Sequence, residues 1–186
     1  MGSEICIRDS AVPAIGLTNI ILSAWFPDVV SVVYVSGAEA LLMTRFTELN
    51  GVLVPAAESQ DQIGFVLNTR ILSYSIPFYT ALHFATHRSD YLGSFVWGVL
   101  VLYPMIILGL ICLGLQNLMV NLGGTFFDQA GVFVPHANVI AILYQFNTLI
   151  VPTLAPVLVW AWQSRDTPLI RSMLDAVDAV QKSSAR

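Results

Sequence analysis

The chain has 186 residues, a formal net charge of −4, and 56% hydrophobic but only 11% charged side chains. Soluble proteins carry roughly 25% charged residues, and a domain of this size needs a polar surface that 8 basic and 12 acidic side chains cannot supply. Residues 92–127 and 129–164 contain no Asp, Glu, Lys or Arg. This composition excludes a water-soluble enzyme, a disordered chain and a nucleic-acid binder, and it predicts an integral membrane protein.

The first 26 residues divide into two parts. Residues 4–10, EICIRDS, look like the translated end of a sequencing-library transposon, so residues 1–10 are expected to be a non-native leader. Residues 11–26 are apolar but contain Pro13 and Gly16 and are short for a membrane span. They predict an interfacial helix or part of a membrane helix.

Residues 27–68 are predicted to form a small β-rich segment. Leu42, Thr44 and Phe46 share one face of a period-two run, and the residues between them share the other. About 40 residues are too few for an independent core, so this segment should rest on the membrane or on a partner. The predicted strands are residues 29–35, 40–47 and 62–67, with turn dipeptides at Ser36–Gly37 and Asn50–Gly51.

A bundle of transmembrane helices is predicted over residues 69–164. A helix needs about 20 apolar residues to cross the hydrocarbon, and the first of the three candidates reaches that length only if Asn68–Arg70 join it. Prolines within the spans should bend them, and Trp160 and Trp162 should lie at the membrane–water interface. The three predicted spans are about 69–86, 92–119 and 139–163.

Positive charge predicts the orientation of these helices. Residues 165–186 carry Arg165, Arg171, Lys182 and Arg186, whereas the loop at 120–138 has neither Lys nor Arg. The C-terminus is therefore expected in the cytoplasm, and the loop and the residues before about 70 outside. Export of that first segment requires a helix before residue 11, so the fold is predicted as mainly α with three visible membrane helices and a fourth, N-terminal one missing.

The C-terminal tail, residues 165–186, has an amphipathic pattern. Apolar residues from Leu169 to Val180 recur at helical spacing, with charged residues on the opposite face. We expect a helix lying on the membrane, with a dedicated partner-binding helix as the alternative.

Candidate catalytic and metal-binding residues are few. His83 and His87 share a helix face, but zinc requires a third ligand and His136 is predicted on the opposite side of the membrane. Cys112 lies in an apolar run without the base or cation that a thiolate nucleophile needs. We therefore expect no enzyme activity, no metal and no cofactor.

Amides within the spans are the more informative polar residues. An unpaired amide is costly in hydrocarbon, so those of neighbouring helices should either hydrogen-bond each other or form a docking surface for another membrane protein. No carboxylate or lysine lies within the predicted spans, which argues against a proton-driven transporter. The candidate helix-packing or partner-contact residues are Gln116, Asn117, Asn121, Tyr144, Gln145 and Asn147.

The order of motifs along the chain resembles that of the bacterial exosortase H-associated membrane proteins. The sequence departs from the family pattern at Ser75, where a glycine is usual, and in the lack of a lysine within residues 115–122. The motifs that carry the resemblance are Trp25-Phe26-Pro27, Gly37, Thr44, Asn68, Ser73-Tyr74, Pro77, Ala81-Leu82, Ala85-Thr86, Tyr144-Gln145-Phe146, Pro152 and Ala155-Pro156-Val157.

The resemblance implies an inner-membrane accessory encoded with a transpeptidase-like sorting enzyme, which processes proteins bearing a C-terminal sorting signal. It brings no catalytic residues, and Asn68, Tyr74, Pro77, Pro152 and Pro156 are implied to be structural. The expected partners are the lipid bilayer and an exosortase-like enzyme, and no nucleic acid. The alternative hypothesis is a membrane-embedded enzyme or small-solute channel, which would need a water-accessible cavity lined by His83, Cys112 or the amides.

Overall fold

A computed structural model describes residues 2–37, 39–49, 52–56, 62–69, 72, 74–86, 91–165 and 167. Within these residues the chain is mostly helical and carries two small sheets. The helices are α1 (Gly2–Trp25), α2 (Ser75–Ala85), α3 (Tyr91–Leu122), α4 (Gly124–Phe127), α5 (Ala137–Gln145), a π-helix (Phe146–Ile150) and α6 (Val151–Ser164). The strands are β1 (Val30–Ser36), β2 (Glu39–Thr44), β3 (Phe46–Leu49), β4 (Val52–Pro55) and β5 (Gly64–Leu67).

The larger sheet is antiparallel with strand order β1-β2-β5. Gly37 adopts a positive φ of 64° in the turn between β1 and β2, which places the turn where the sequence predicted it. Leu42, Thr44 and Phe46 are buried, while Arg45 is exposed. The predicted alternation of the second run holds up to Phe46, and Thr47 after it is buried as well.

The predicted strand over residues 40–47 is interrupted at Arg45, and this differs from the sequence expectation. The Arg45 N–H donates to the Val29 carbonyl, and the Arg45 carbonyl accepts from the Ala56 N–H. Beyond this point β3 leaves the first sheet and pairs with β4, a strand that the sequence had not indicated. The predicted Asn50–Gly51 turn lies outside the described residues.

The sheet packs against α1 and against the C-terminal half of α3. Gly114 of α3 marks the closest approach: a Cβ added there would lie 2.9 Å from Leu22 Cδ1 and 3.4 Å from Leu42 Cδ1. The shared core includes Phe26 at the end of α1 and Leu118 in α3. The sheet thus obtains from the helices the hydrophobic core that it is too small to build alone.

Helix α1 runs parallel to α3. Leu22 lies beside Gly114, and earlier in both helices the Tyr103 hydroxyl hydrogen-bonds the Ala14 backbone. The helix has 24 residues and is about 36 Å long, and its apolar part is Val12–Trp25. The segment predicted at 11–26 is therefore the second half of a longer helix, which begins within the predicted leader.

Two helical segments are long and apolar enough to cross a membrane, Leu92–Leu122 and Ala137–Ser164. The predicted third span at 69–86 is not among them, and its residues 70, 71 and 73 lie outside the described residues. Helix α2 has 11 residues and is about 16 Å long, too short to cross the roughly 30 Å hydrocarbon alone. Asn68 and Thr69 cannot lengthen it, because they are not helical and directly follow β5.

Contacts between distant parts of the chain distinguish the two ends of the helices. At one end, which we call the sheet end, Trp25 Nε1 donates to the Phe133 carbonyl at 3.0 Å, so the sheet side of α1 meets the loop before α5. At the other, the tail end, Trp160 Nε1 donates to Thr86 Oγ1 at 2.7 Å. The predicted amphipathic tail from residue 168 onward lies outside the described residues.

Candidate functional site

A buried hydrogen-bond cluster joins α2, α3 and α6 at the tail end. The Tyr79 side chain is 0% exposed, and its hydroxyl lies 2.8 Å from Gln163 Oε1 and 3.1 Å from the Ser94 carbonyl. Gln163 Nε2 also donates to the Ser94 carbonyl, at 3.0 Å. One phenol and one amide therefore connect the consecutive helices α2 and α3 with α6, which lies far from both in sequence.

His83 belongs to this cluster. Its Nδ1 lies 3.3 Å from the Tyr79 hydroxyl, and its ring contacts the rings of Phe84 and Phe95 at centroid distances of 5.5 Å. The side chain is 1% exposed. His87, the predicted companion of His83 on the helix face, lies outside the described residues. His136 lies at the sheet end, where it accepts a hydrogen bond from the Asn138 N–H, and so cannot join His83.

Thr86 and Trp160 form a second link beside this cluster. Thr86 Oγ1 accepts from Trp160 Nε1 and donates to the Leu82 carbonyl at 3.1 Å. Trp160 was predicted at the membrane–water interface together with Trp162, but only Trp162 is largely exposed.

Replacing Trp160 by phenylalanine should destabilise the protein by about 1 kcal/mol, because the indole N–H bond to Thr86 is lost while most of the ring remains. Trp162→Phe removes the same group from an exposed ring and should change stability by less than about 0.5 kcal/mol. The midpoint of thermal unfolding in detergent measures both. Equal midpoints for the two variants would show that the Trp160–Thr86 bond does not stabilise the fold.

Among the described residues, the asparagines of α3 hydrogen-bond within their own helix and not to an amide of the facing helix. Asn117 and Asn121 donate to carbonyls one turn earlier in α3, at Leu113 and Asn117, with distances of 2.9 and 2.8 Å. Gln116 Oε1 is buried without a hydrogen-bond partner. Asn117 and Asn121 therefore bond within α3, and the side-chain oxygen of Gln116 has no described partner.

Asn147 reaches the facing helix in the part of the chain that the structure describes. It is 2% exposed, and its Nδ2 lies 2.9 Å from the Leu143 carbonyl and 3.5 Å from Cys112 Sγ. Its Oδ1 has no partner. Of its predicted neighbours, Gln145 is exposed and Tyr144 is half-buried.

Proline explains the π-helix that contains Asn147. Pro152 has no N–H, so it cannot donate to the carbonyl of Thr148 or to that of Asn147. The Val151 N–H instead reaches back five residues to the Phe146 carbonyl. π-Helical turns are rare and often occur at functional sites. The bend that the sequence predicted at Pro152 is therefore a local change of helix type.

A groove of about 400 Å³ opens beside the π-helix, between α2 and α6. Tyr74 stands at its rim, 64% exposed, and its hydroxyl makes no hydrogen bond to any part of the chain that the structure describes. We call this opening the α2–α6 groove. Its lining residues are Tyr74, Pro77, Phe78, Thr148, Pro152 and Thr153.

The α2–α6 groove collects three of the five residues that the family resemblance had marked as structural. Tyr74 directly precedes α2, Pro77 lies in α2, and Pro152 lies in α6. These residues meet in the groove although 75 positions separate Pro77 from Pro152 (152 − 77). The remaining two lie elsewhere: Asn68 is exposed just after β5, and Pro156 is buried within α6.

A second groove, of about 890 Å³, lies at the sheet end between the loop before α5 and the start of α5. Its walls are apolar apart from His136, and Phe133 on its rim is largely exposed. Neither this groove nor the α2–α6 groove is lined by His83 or Cys112.

The sequence profile of the family described as exosortase H-associated membrane protein matches residues 8–167. The match covers both candidate membrane spans, the sheets and the α2–α6 groove. No curated protein and no solved structure matches the chain.

Proposed function

The chain belongs to the family of exosortase H-associated membrane proteins, and we propose that it is a non-enzymatic accessory of an exosortase-type sorting system. It acts in the bacterial inner membrane by associating with the sorting enzyme through its helices. The family match over residues 8–167 carries this proposal.

The surroundings of the two candidate reactive side chains support a non-catalytic role. His83 is enclosed by aromatic rings and by the Tyr79 hydroxyl, and Cys112 is buried against Asn147. A membrane-embedded enzyme or channel would need such groups to face a water-accessible cavity. The accessory role fits these surroundings better than the alternative does.

The lengths of the helices support a position in which the sheet end protrudes from the bilayer, and the positive charges after residue 164 favour the non-cytoplasmic side for it. Helix α3 has 32 residues and is about 48 Å long, which exceeds the roughly 30 Å hydrocarbon core by about 12 residues. The sheet packs on the C-terminal half of α3, near Gly114, so the excess length fits the part that carries the sheet. Exposed Trp97 and Trp162 near the other end suit a membrane interface.

Helix α1 suits this orientation as the element that leads the chain to the sheet end. Because it runs parallel to α3, its first residues lie towards the tail end and its last residue, Trp25, lies at the sheet end. A segment of about 36 Å in that direction delivers β1 to the same side as the loop before α5. Its apolar part, Val12–Trp25, is about 21 Å long and covers only part of the upstream crossing that the charge pattern requires.

Co-purification tests the proposed association. The chain is co-expressed with affinity-tagged exosortase H from the same genome, and the tagged enzyme is recovered in a mild detergent. We expect the chain to be retained in near-equal amount, and a tagged membrane protein of unrelated family should retain none. In cells, deletion should lower the processed fraction of substrates with C-terminal sorting signals. Unchanged processing together with the lack of a complex would overturn the proposal.

A further inference from the structure

We propose that the α2–α6 groove is the docking site for one transmembrane helix of the sorting enzyme, and that this helix presents a hydrogen-bonding side chain to Tyr74. The inference rests on the proposed function and identifies the contact surface. Three observations carry it: the depth of the groove, the exposed hydroxyl of Tyr74 on its rim, and the small side chains in its lining.

The groove lies at hydrocarbon depth. Thr148 is 11 residues from the start of the span Ala137–Ser164 and 16 residues from its end (148 − 137 and 164 − 148), or about 16 and 24 Å along the helix. The hydrocarbon core takes up roughly 30 Å of this 42 Å span. Helix α2 begins at the same level, because Ser75 and Pro152 border one small gap together with Leu102. The polar groups of the groove therefore face lipid tails.

One hydrogen-bonding group on the rim of this groove has no partner among the described residues. It is the Tyr74 hydroxyl, whose side chain is 64% exposed. Lipid tails offer neither donors nor acceptors, so each such group is unfavourable when it is exposed to them. A partner that brings its own polar side chains removes this cost.

The shape of the groove suits a helix. Beside Tyr74 and Phe78, the groove is lined by smaller side chains, namely Pro77, Thr148, Pro152 and Thr153. Helices associate in membranes where small side chains allow close approach and where Ser, Thr, Asn or Gln can hydrogen-bond across the contact. A lipid chain could fill 400 Å³ but could not satisfy the Tyr74 hydroxyl. These features favour a protein helix over lipid.

Site-specific photocrosslinking tests which molecule occupies the groove. A photoreactive phenylalanine analogue replaces Phe78 in the groove or, as the matched control, Leu158, which is lipid-facing on α6. The full chain is co-expressed with tagged exosortase H and illuminated in membranes. We expect position 78 to crosslink to the enzyme at least about fivefold more than position 158. Crosslinks from position 78 to a second copy of the chain, or to lipid alone, would overturn the inference.

Substitutions test the chemistry of the contact. Tyr74→Phe should lower recovery of the chain with tagged exosortase H about threefold, whereas Tyr34→Phe on β1 removes the hydroxyl of another exposed tyrosine and should have no effect. Thr148→Trp should fill the groove and lower recovery about tenfold, with Leu149→Trp on an exposed neighbouring position as its control. Monodisperse elution in detergent checks that each variant folds.

The outcomes separate this inference from the proposed function. If the unaltered chain binds the enzyme and the groove variants bind equally well, the groove inference is wrong and the association stands. If the unaltered chain does not bind at all, the proposed association is wrong and the groove inference falls with it. If Thr148→Trp fails to fold, Tyr74→Phe and the crosslinking at position 78 still test the groove inference.

Discussion

Gly98→Ala is expected to destabilise the protein by roughly 3 kcal/mol. A Cβ at Gly98 would overlap the hydroxyl and ring of Tyr79, which is fully buried. Tyr79 would have to move, and its bonds to Gln163 and Ser94 would weaken. Overpacking typically costs 1–3 kcal/mol, and each lost hydrogen bond costs about 1 kcal/mol. Thermal or denaturant unfolding in detergent, compared with the unaltered chain, measures the effect.

Two further variants define the cause. Gly16→Ala in α1 is the matched control, because no atom lies within 4 Å of the added Cβ; it should be neutral or stabilising by up to about 1 kcal/mol. Tyr79→Phe combined with Gly98→Ala should give no rescue, since the ring itself obstructs the new methyl group. If Gly98→Ala were as stable as Gly16→Ala, the close approach of α2 to α3 would be wrong.

Cysteine labelling should divide the two ends of the protein into separate compartments. In a Cys6→Ser background, Ser36→Cys and Asp128→Cys place exposed thiols at the sheet end, and Arg165→Cys places one at the tail end. A membrane-impermeant maleimide applied to spheroplasts should label the first two fully and the third at least about tenfold less, because the positive charges of the tail are expected to stay in the cytoplasm.

Detergent lysis provides the control for this experiment, since all three positions should then react equally. Cys112 is buried and should stay unlabelled in the background chain. Labelling of Ser36→Cys and Arg165→Cys from the same side would contradict a membrane-spanning fold. Labelling of Arg165→Cys alone would retain the fold and reverse its orientation.

Part of the fold could be predicted because its signals are local. The spans around 92–119 and 139–163 were visible as uncharged apolar runs, and the helices found there are Leu92–Leu122 and Ala137–Ser164. The turn at Gly37 and the alternation around Leu42 were equally local. The family, too, followed from the order of motifs along the chain and was confirmed by the match over residues 8–167.

The buried cluster at the tail end could not be predicted in the same way. Tyr79 and His83 are four residues apart, which places them on one helix face, but nothing local assigns Gln163 to them from 84 positions away. The sequence predicts that His83 and His87 share a helix face, because spacing along a helix can be read from the sequence. Contacts between different helices cannot be read in this way. The hydrogen-bond partner of His83 is the Tyr79 hydroxyl.

Length was the second point at which local reasoning failed. The apolar composition of residues 69–86 is that of a membrane helix, yet Asn68 and Thr69, which follow β5, are not helical, and α2 starts only at Ser75. Composition shows that this stretch is apolar but not at which residue its helix begins.

The sequence by itself determined which stretches are apolar, where short strands and turns lie, and which family the motif order resembles, because hydropathy, charge and turn preference are properties of neighbouring residues. Only the tertiary structure decided that Tyr74, Pro77 and Pro152 line one groove and that Asn147 meets Cys112. Such contacts depend on how closely the helices approach at Gly98, Gly109 and Gly114, where a single added methyl group would meet a neighbouring side chain. Distance along the chain carries no information about that approach.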